Sequence, residues 1–349
     1  MQDPSNLMDQ VQAPHLDAFR LFWHGLAPRK DVFCLFFTSG LLHWALRSLR
    51  RVPRNVHVAL VGSHLKPDEI EWIRRHVEAP FHHVALPVDD KTIWEFLFAT
   101  SRENFGWLDV DCLVVEPALF DEVRQIPADA LASTVWSYPV PGGHDMLCTY
   151  FVFLNAEAIA KVTGETGVSP TTYSWETTQA SRLSPWAYCR RPTPAIAQCL
   201  AGCVPPGPDG RPIYLSERSF YDTLQVYQLV AQTYGYRVHH VRRLPRNRTS
   251  PEIAHVGRVS YYEHGWADKD RPENREIYAA TLQSDFLVLS DSVEALPPTY
   301  RERWMAMRGR LQALGLPATP PQIRTTLAGL LQRQGLGESA LASLLEPVV

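Results

Sequence analysis

Phe105-Gly106-Trp107-Leu108-Asp109-Val110-Asp111-Cys112-Leu113-Val114-Val115-Glu116-Pro117 is the stretch whose reading decides the fold. An apolar approach runs into Asp109 and Asp111, and Leu113, Val114 and Val115 resume the apolar run. Residues two apart on a strand point to one face. Two carboxylates closing a buried strand are costly unless a cation meets them. At an exposed strand end that turns outward, they can converge on one divalent cation. Hard cations such as Mg²⁺ and Mn²⁺ take oxygen ligands and leave positions open for phosphate oxygens. The stretch therefore points to a metal that holds a diphosphate. The alternative is a solvated turn, because two aspartates two apart are common.

Upstream, apolar runs alternate with helical spacing. Residues 32–37 form a continuous apolar run, as a strand buried on both faces would. Thr38-Ser39-Gly40 breaks it, and Leu42, Ala45, Leu46 and Leu49 then repeat at helical spacing. Arg47, Arg50 and Arg51 stand where cations suit a helix C-terminus. Residues 56–61 read as a second strand. Pro67, Asp68 and Glu69 open a second helix, with Ile70, Ile73 and Val77 facing inward. Residues 83–88 read as a third strand, followed by a helix carrying Ile93, Trp94, Leu97 and Phe98. Three β-α units before the aspartates predict an α/β fold with a mostly parallel sheet and helices on both faces. Ligands of such sheets lie at the carboxyl ends of the strands.

Residues 1–30 read as a loose or partly helical lead-in, with Leu16, Phe19 and Trp23 on one face. Downstream, 130–138 and 147–154 are further apolar runs, and Asn155 starts a helix through Val162. From 163 to 213 the composition changes, with seven prolines between Pro185 and Pro212 and the aromatics Tyr173, Trp175, Trp186 and Tyr188. Loops this long in compact domains are usually functional or disordered. A helix over 220–234 and a strand over 236–241 follow. Residues 263–349 read as a mainly helical extension.

At 349 residues the chain buries a sizeable core. A net charge of −3 gives no reason to expect nucleic acid as a partner. Cys34, Cys112 and Cys148 lie in apolar runs and read as small buried hydrophobes. Cys199 and Cys203 lack the second close pair a zinc site wants. Nothing resembles a disulfide framework, so a reducing, cytoplasmic setting is expected. The N-terminus does not read as a secretory signal and no apolar run is long enough to span a bilayer, which leaves peripheral membrane contact open.

The order of these features resembles nucleotide-sugar-dependent glycosyltransferases of the GT-A fold over residues 31–262. The likeness is strongest from Trp107 to Pro117, similar to the segment in which that fold's Asp-x-Asp binds the metal. The residues from Tyr150 to Asn155 match a familiar strand that leads to an asparagine and a helix. In glycogenin-like and lipopolysaccharide-galactosyltransferase-like families a late histidine near a glycine completes the metal shell, and His255-Val256-Gly257 is similar to that. The resemblance implies Mn²⁺ or Mg²⁺ held by Asp109, Asp111 and His255. It implies a nucleotide diphosphate sugar as donor, with UDP favoured, and a hydroxyl acceptor of unknown class. The absence of an obvious base favours a retaining, front-face reaction.

Other residues are assigned by position, each beside a plainer alternative. Thr38 and Ser39 are candidates for contacting base or ribose, or for capping the following helix. Asp89 is a candidate for the same contact, or an N-cap, and Lys91 for the sugar or phosphate. Asp222 is a candidate catalytic carboxylate, or the last member of a Ser219-x-x-Asp222 capping box. Arg258 and the close-approach Gly257 are candidates for the diphosphate. Arg242, Arg243, Arg246 and Arg248 are candidates for the leaving group, or a solvated loop. Trp175, Trp186 and Tyr188 either stack on an acceptor from an insertion at 163–213 or anchor that insertion. The rival reading is a haloacid-dehalogenase-type phosphohydrolase with Asp109 as nucleophile; a silent sugar-nucleotide binding module is a third.

Overall fold

The structure, a computed structural model, describes residues 4–26, 30–140, 142–174, 189–204, 206, 221–242, 252–257, 259 and 272–333. Helix α1 (Pro4–His24) precedes β1 (Phe33–Thr38), α2 (Leu42–Leu49), β2 (Val58–Ser63), α3 (Pro67–His76), β3 (Phe81–Val84), α4 (Asp90–Thr100) and β4 (Phe105–Asp109). Next come β5 (Cys112–Val114), α5 (Ala118–Arg124), β6 (Ala130–Thr134), β7 (Ser137–Pro139), β8 (Asp145–Leu147), β9 (Phe151–Leu154) and α6 (Ala156–Thr166). The rest comprises α7 (Pro194–Cys203), α8 (Gln225–Thr233), β10 (Arg237–His240), β11 (Ile253–His255), α9 (Pro272–Ser290), α10 (Pro298–Ala313) and α11 (Pro320–Arg333).

A seven-stranded sheet runs in the order β10-β6-β9-β4-β1-β2-β3. It is mostly parallel and flanked by helices, as the β-α alternation predicts. Strand β9 is antiparallel to both β4 and β6. Strands β1 and β4 begin together, with Gly106 N–H donating to the Val32 carbonyl at 3.0 Å. Strands β1 and β2 end together, with Ser39 N–H donating to the Ser63 carbonyl at 3.3 Å. The strand order reverses between β1 and β4, and open α/β sheets bind ligands outside the carboxyl ends of the strands at such a switch point. Thr38 and Asp109 are the last residues of those two strands.

The chain forms two compact units. One comprises Met1–Cys34, Val84–Leu108 and Asp121–Arg246; the other comprises Leu35–His83, Asp109–Phe120 and Asn247–Val349. In the first, Trp94 stacks on Trp107 with ring centroids 4.3 Å apart, and Phe33 lies against Phe151 and Phe153. Gly106 leaves room for Phe33, because a Cβ there would sit 2.1 Å from the Phe33 ring. Phe19 of α1 is fully buried against Trp23 and Phe96, as the predicted apolar face requires. In the second unit, the buried Asp285 of α9 accepts hydrogen bonds from Trp44 Nε1 and Arg303 Nη2, each at 2.8 Å, and pairs with His43. A buried carboxylate is tolerated where donors surround it. Helices α9 and α10 are therefore part of this unit's core.

Several boundaries differ from those read in the sequence. The third strand ends at Val84 and not 88, and Pro87 has no N–H to give to a ladder. The 130–138 run splits into β6 and β7, where Thr134 Oγ1 takes the Trp136 N–H. The 147–154 run splits into β8 and β9. Helix α6 is capped by Asn155, whose side chain accepts from the N–H groups of Glu157 and Ala158, and runs on to Thr166. Helix α7 lies inside the proline-rich stretch; Thr193 caps it and Pro194 occupies its first turn. The helix expected over 220–234 begins at Gln225, because Leu224 adopts a left-handed φ of 64° and Tyr221 pairs with Tyr173. Arg47 is buried against Asp291 and does not serve as an exposed C-terminal cation.

Candidate metal centre

The chain turns at Val110-Asp111 between β4 and β5. Strand β11 returns from far downstream and pairs antiparallel with β5, matching His255 to Cys112 and Ile253 to Val114. Glu252 accepts at its carbonyl from the N–H groups of Val115 and Glu116, at 2.8 and 2.9 Å. Val256 N–H donates to the Asp111 carbonyl at 3.2 Å. This pairing sets His255 beside both aspartates. His255 Nε2 lies 3.1 Å from Asp111 Oδ1 and 3.5 Å from Asp109 Oδ2. One ligand atom from each of Asp109, Asp111 and His255 falls within 4.8 Å of the others.

The three differ in exposure. His255 and Asp111 are each 6% exposed at the side chain, whereas Asp109 is 29% exposed. The expectation of two carboxylates at an exposed strand end is thus corrected for Asp111, which the β11 pairing covers. Burial disfavours the His255 imidazolium, but Asp111 first and Asp109 with it overcome that and push its pKa up to about 9. Without a metal, a protonated imidazole is the cation that meets the carboxylates. Two carboxylate oxygens and an imidazole nitrogen make a donor set that fits Mn²⁺, with the oxygens also suiting Mg²⁺. Gly257, two residues past the histidine, is buried with φ of 74°, a backbone region that favours glycine.

The remaining candidates divide. Ser39 Oγ donates to Glu69 Oε2 at 2.7 Å, and Gly40 N–H donates to Glu69 Oε1 at 2.9 Å. Neither Thr38 nor Ser39 caps α2, whose N-cap is Leu41 without a side-chain bond. Thr38 is half-buried at the carboxyl end of β1. Asp89 and Lys91 belong to the first unit and pair at 3.1 Å; Asp89 stands at the N-cap of α4 and accepts from Thr92 Oγ1 rather than from a backbone N–H. Asp222, also in the first unit, precedes α8 and does not lie in its first turn; its Oδ1 accepts from Thr223 N–H at 2.9 Å. Arg242 is paired with Glu122. Arg258, Arg243, Arg246, Arg248, Ser219, Trp175, Trp186 and Tyr188 lie outside the described residues.

Sequence reasoning missed Glu69, Tyr300 and Ser48. Glu69 was visible as a first-turn acid of α3, but its partners lie on β1's loop and on α10. Ser48 is a polar residue one turn beyond the inward Ala45, and it is 1% exposed. That placement was the available signal.

The donor set and the parallel sheet define an α/β protein with a candidate divalent-cation centre at a strand-order switch point. Residues 9–159 match the StrH glycosyltransferase N-terminal domain. The chain is 27% identical over 335 residues to dTDP-dihydrostreptose--streptidine-6-phosphate dihydrostreptosyltransferase of Streptomyces griseus, covering 85% of this chain and 86% of that protein. These two matches support a glycosyltransferase. Among solved structures, the glycosyltransferase GlyE of Streptococcus pneumoniae TIGR4 aligns with 40% of this chain and 38% of its own at TM-score 0.28 and 12% identity. The 4-diphosphocytidyl-2C-methyl-D-erythritolsynthase from Anaerococcus prevotii DSM 20548 aligns with 39% of this chain and 76% of its own at TM-score 0.24 and 12% identity. Scores this low establish no common fold. Among the described residues no helix is long and apolar enough to cross a membrane.

Proposed function

We propose that the chain is a metal-dependent glycosyltransferase that moves a sugar from a nucleoside diphosphate to an acceptor hydroxyl. The observation that carries this is the convergence of Asp109, Asp111 and His255 from two distant parts of the chain. Asp109 and Asp111 would hold Mn²⁺ or Mg²⁺ with His255 as third ligand. When bound, such an ion neutralises the diphosphate leaving group. Asp109 is the more exposed of the two carboxylates. His255 would have to give up its Nε2 proton to act as a ligand, so its binding to an ion would be coupled to proton release. With both aspartates engaged as ligands, the cluster holds no carboxylate to act as general base. This favours a retaining reaction in which the protein positions and neutralises.

The Streptomyces griseus relative is named for a dTDP-linked donor and a phosphorylated acceptor. Across 85% of this chain, that likeness moves the preferred nucleotide from UDP to dTDP. The test is slow donor hydrolysis, measured with dTDP-sugars, UDP-sugars and phosphomonoesters, with Mn²⁺ and with chelator. Mn²⁺-dependent release of dTDP supports the reading. Release of phosphate from monoesters at a higher rate would favour a phosphohydrolase with Asp109 as nucleophile.

A further inference from the structure

We infer that Ser48 of α2 is a positioning residue for the metal centre, acting on Asp111 through the backbone; this rests on the metal reading above. Asp111 sits between two peptide units, and each is held by a different element. The Val110 carbonyl, in the unit that also contains the Asp111 N–H, accepts from Ser48 Oγ at 2.6 Å. The Asp111 carbonyl, in the next unit, accepts from Val256 N–H at 3.2 Å. Ser48 Oγ also lies 3.1 Å from the Cys112 carbonyl. One hydroxyl proton serves the shorter contact and is shared with the longer.

A peptide unit is planar, so fixing its carbonyl fixes the N–H on its other side. With both units fixed, the Cα–Cβ bond of Asp111 has a set direction, and the carboxylate turns only about its own side-chain torsions. Serine is not favoured within a helix, and a buried hydroxyl is costly without a partner. Ser48 is 1% exposed, and its hydroxyl donates to the carbonyls of Val110 and Cys112, one in the turn and one just past it. Its place in α2 is accounted for by the turn rather than by the helix. Val256, which holds the other side, is adjacent to His255. The two carboxylate ligands are thus unequal: Asp111 is held by the scaffold, and Asp109, at the strand end, is half-exposed. Groups that orient metal ligands from behind typically change affinity by about 10- to 100-fold when removed.

The experiment is Mn²⁺ titration of the full chain by the loss of the free-ion paramagnetic resonance signal. Wild type, Asp111→Asn, Ser48→Ala, Ser48→Cys and the control Ser133→Ala are compared. Ser48→Ala is expected to weaken Mn²⁺ binding about tenfold. Ser48→Cys, whose thiol is a poor donor, is expected to weaken it several-fold, and whichever of the two folds decides. Ser133→Ala, another buried serine, should leave the affinity unchanged. Wild-type affinity in a folded Ser48 variant overturns the inference, as does an equal loss in the Ser133 control. No difference between wild type and Asp111→Asn overturns the metal reading itself.

Discussion

Tyr300 of α10 donates its phenolic O–H to Glu69 Oε1 at 2.6 Å, although 231 residues separate the two. The same oxygen of Tyr300 accepts the Leu42 N–H at 2.9 Å. Glu69 also receives the Ser39 hydroxyl and the N–H groups of Gly40 and Lys66. The start of α2, at the carboxyl end of β1, therefore already holds a carboxylate and a phenol. Helix N-termini in this position commonly bind phosphate in α/β folds. Here the N–H groups of Gly40 and Leu42 are taken by the protein's own side chains, Glu69 and Tyr300.

Tyr300→Phe removes one buried donor to Glu69 and leaves the Leu42 N–H without its acceptor. Such a loss is expected to lower stability by about 1–3 kcal/mol. Urea midpoints for wild type and variant check this. An unchanged midpoint would mean that the pair contributes nothing net.

Gly106→Ala is expected to destabilise the protein by about 1–3 kcal/mol or more, because the added methyl would overlap the Phe33 ring in a packed core. Thermal or urea unfolding measures it. A second change, Phe33→Leu, should recover part of the loss by removing the ring that the methyl meets.

The metal-free protein should lose stability as pH rises. The folded pKa of His255, about 9, stands above its ordinary 6.5, with burial opposing and the two aspartates prevailing. The imidazolium's contribution is full below the unfolded value and fades as pH rises through the folded one. Urea midpoints in chelator should therefore fall between about pH 6.5 and about pH 9, and His255→Ala should flatten that slope. A midpoint that rises over this interval in wild type would contradict the pairing.

Much of the fold was legible because β1, β2 and β9 lie in apolar runs and the helices between the early strands keep their spacing. The capped starts at Pro67 and Asn155 are local signals, and both hold in the structure. What was not legible depended on long-range partners. The late start of α8 follows from Leu224 and from the Tyr221–Tyr173 pairing, which no local pattern announces. The burial of Asp111 follows from β11, whose sequence lies more than a hundred residues downstream. The grouping of Asp109, Asp111 and His255 was implied by the family resemblance, whereas the β5–β11 pairing that brings them together has no local signal. Asp222, read as a carboxylate in a helix's first turn, lies before the helix, and its role had no spacing argument beyond that turn.

Asp111→Asn should abolish transfer while the chain remains folded. The change keeps the side chain's shape but removes the charge that faces His255. Because Asp111 is buried, the variant should also lose the part of its metal-free stability that the His255 pair supplies. Activity near wild type at saturating Mn²⁺ would remove Asp111 from the metal centre.

In the proposed function, His255 closes a metal centre with Asp109 and Asp111, and this centre binds the donor's diphosphate. Its most direct test is calorimetric titration of dTDP and UDP into wild type and His255→Ala, with Mn²⁺ and with chelator. Strong Mn²⁺ enhancement of nucleotide binding is expected in wild type, little in the variant, and similar metal-free binding in both. Equal Mn²⁺ enhancement in the two proteins would contradict it.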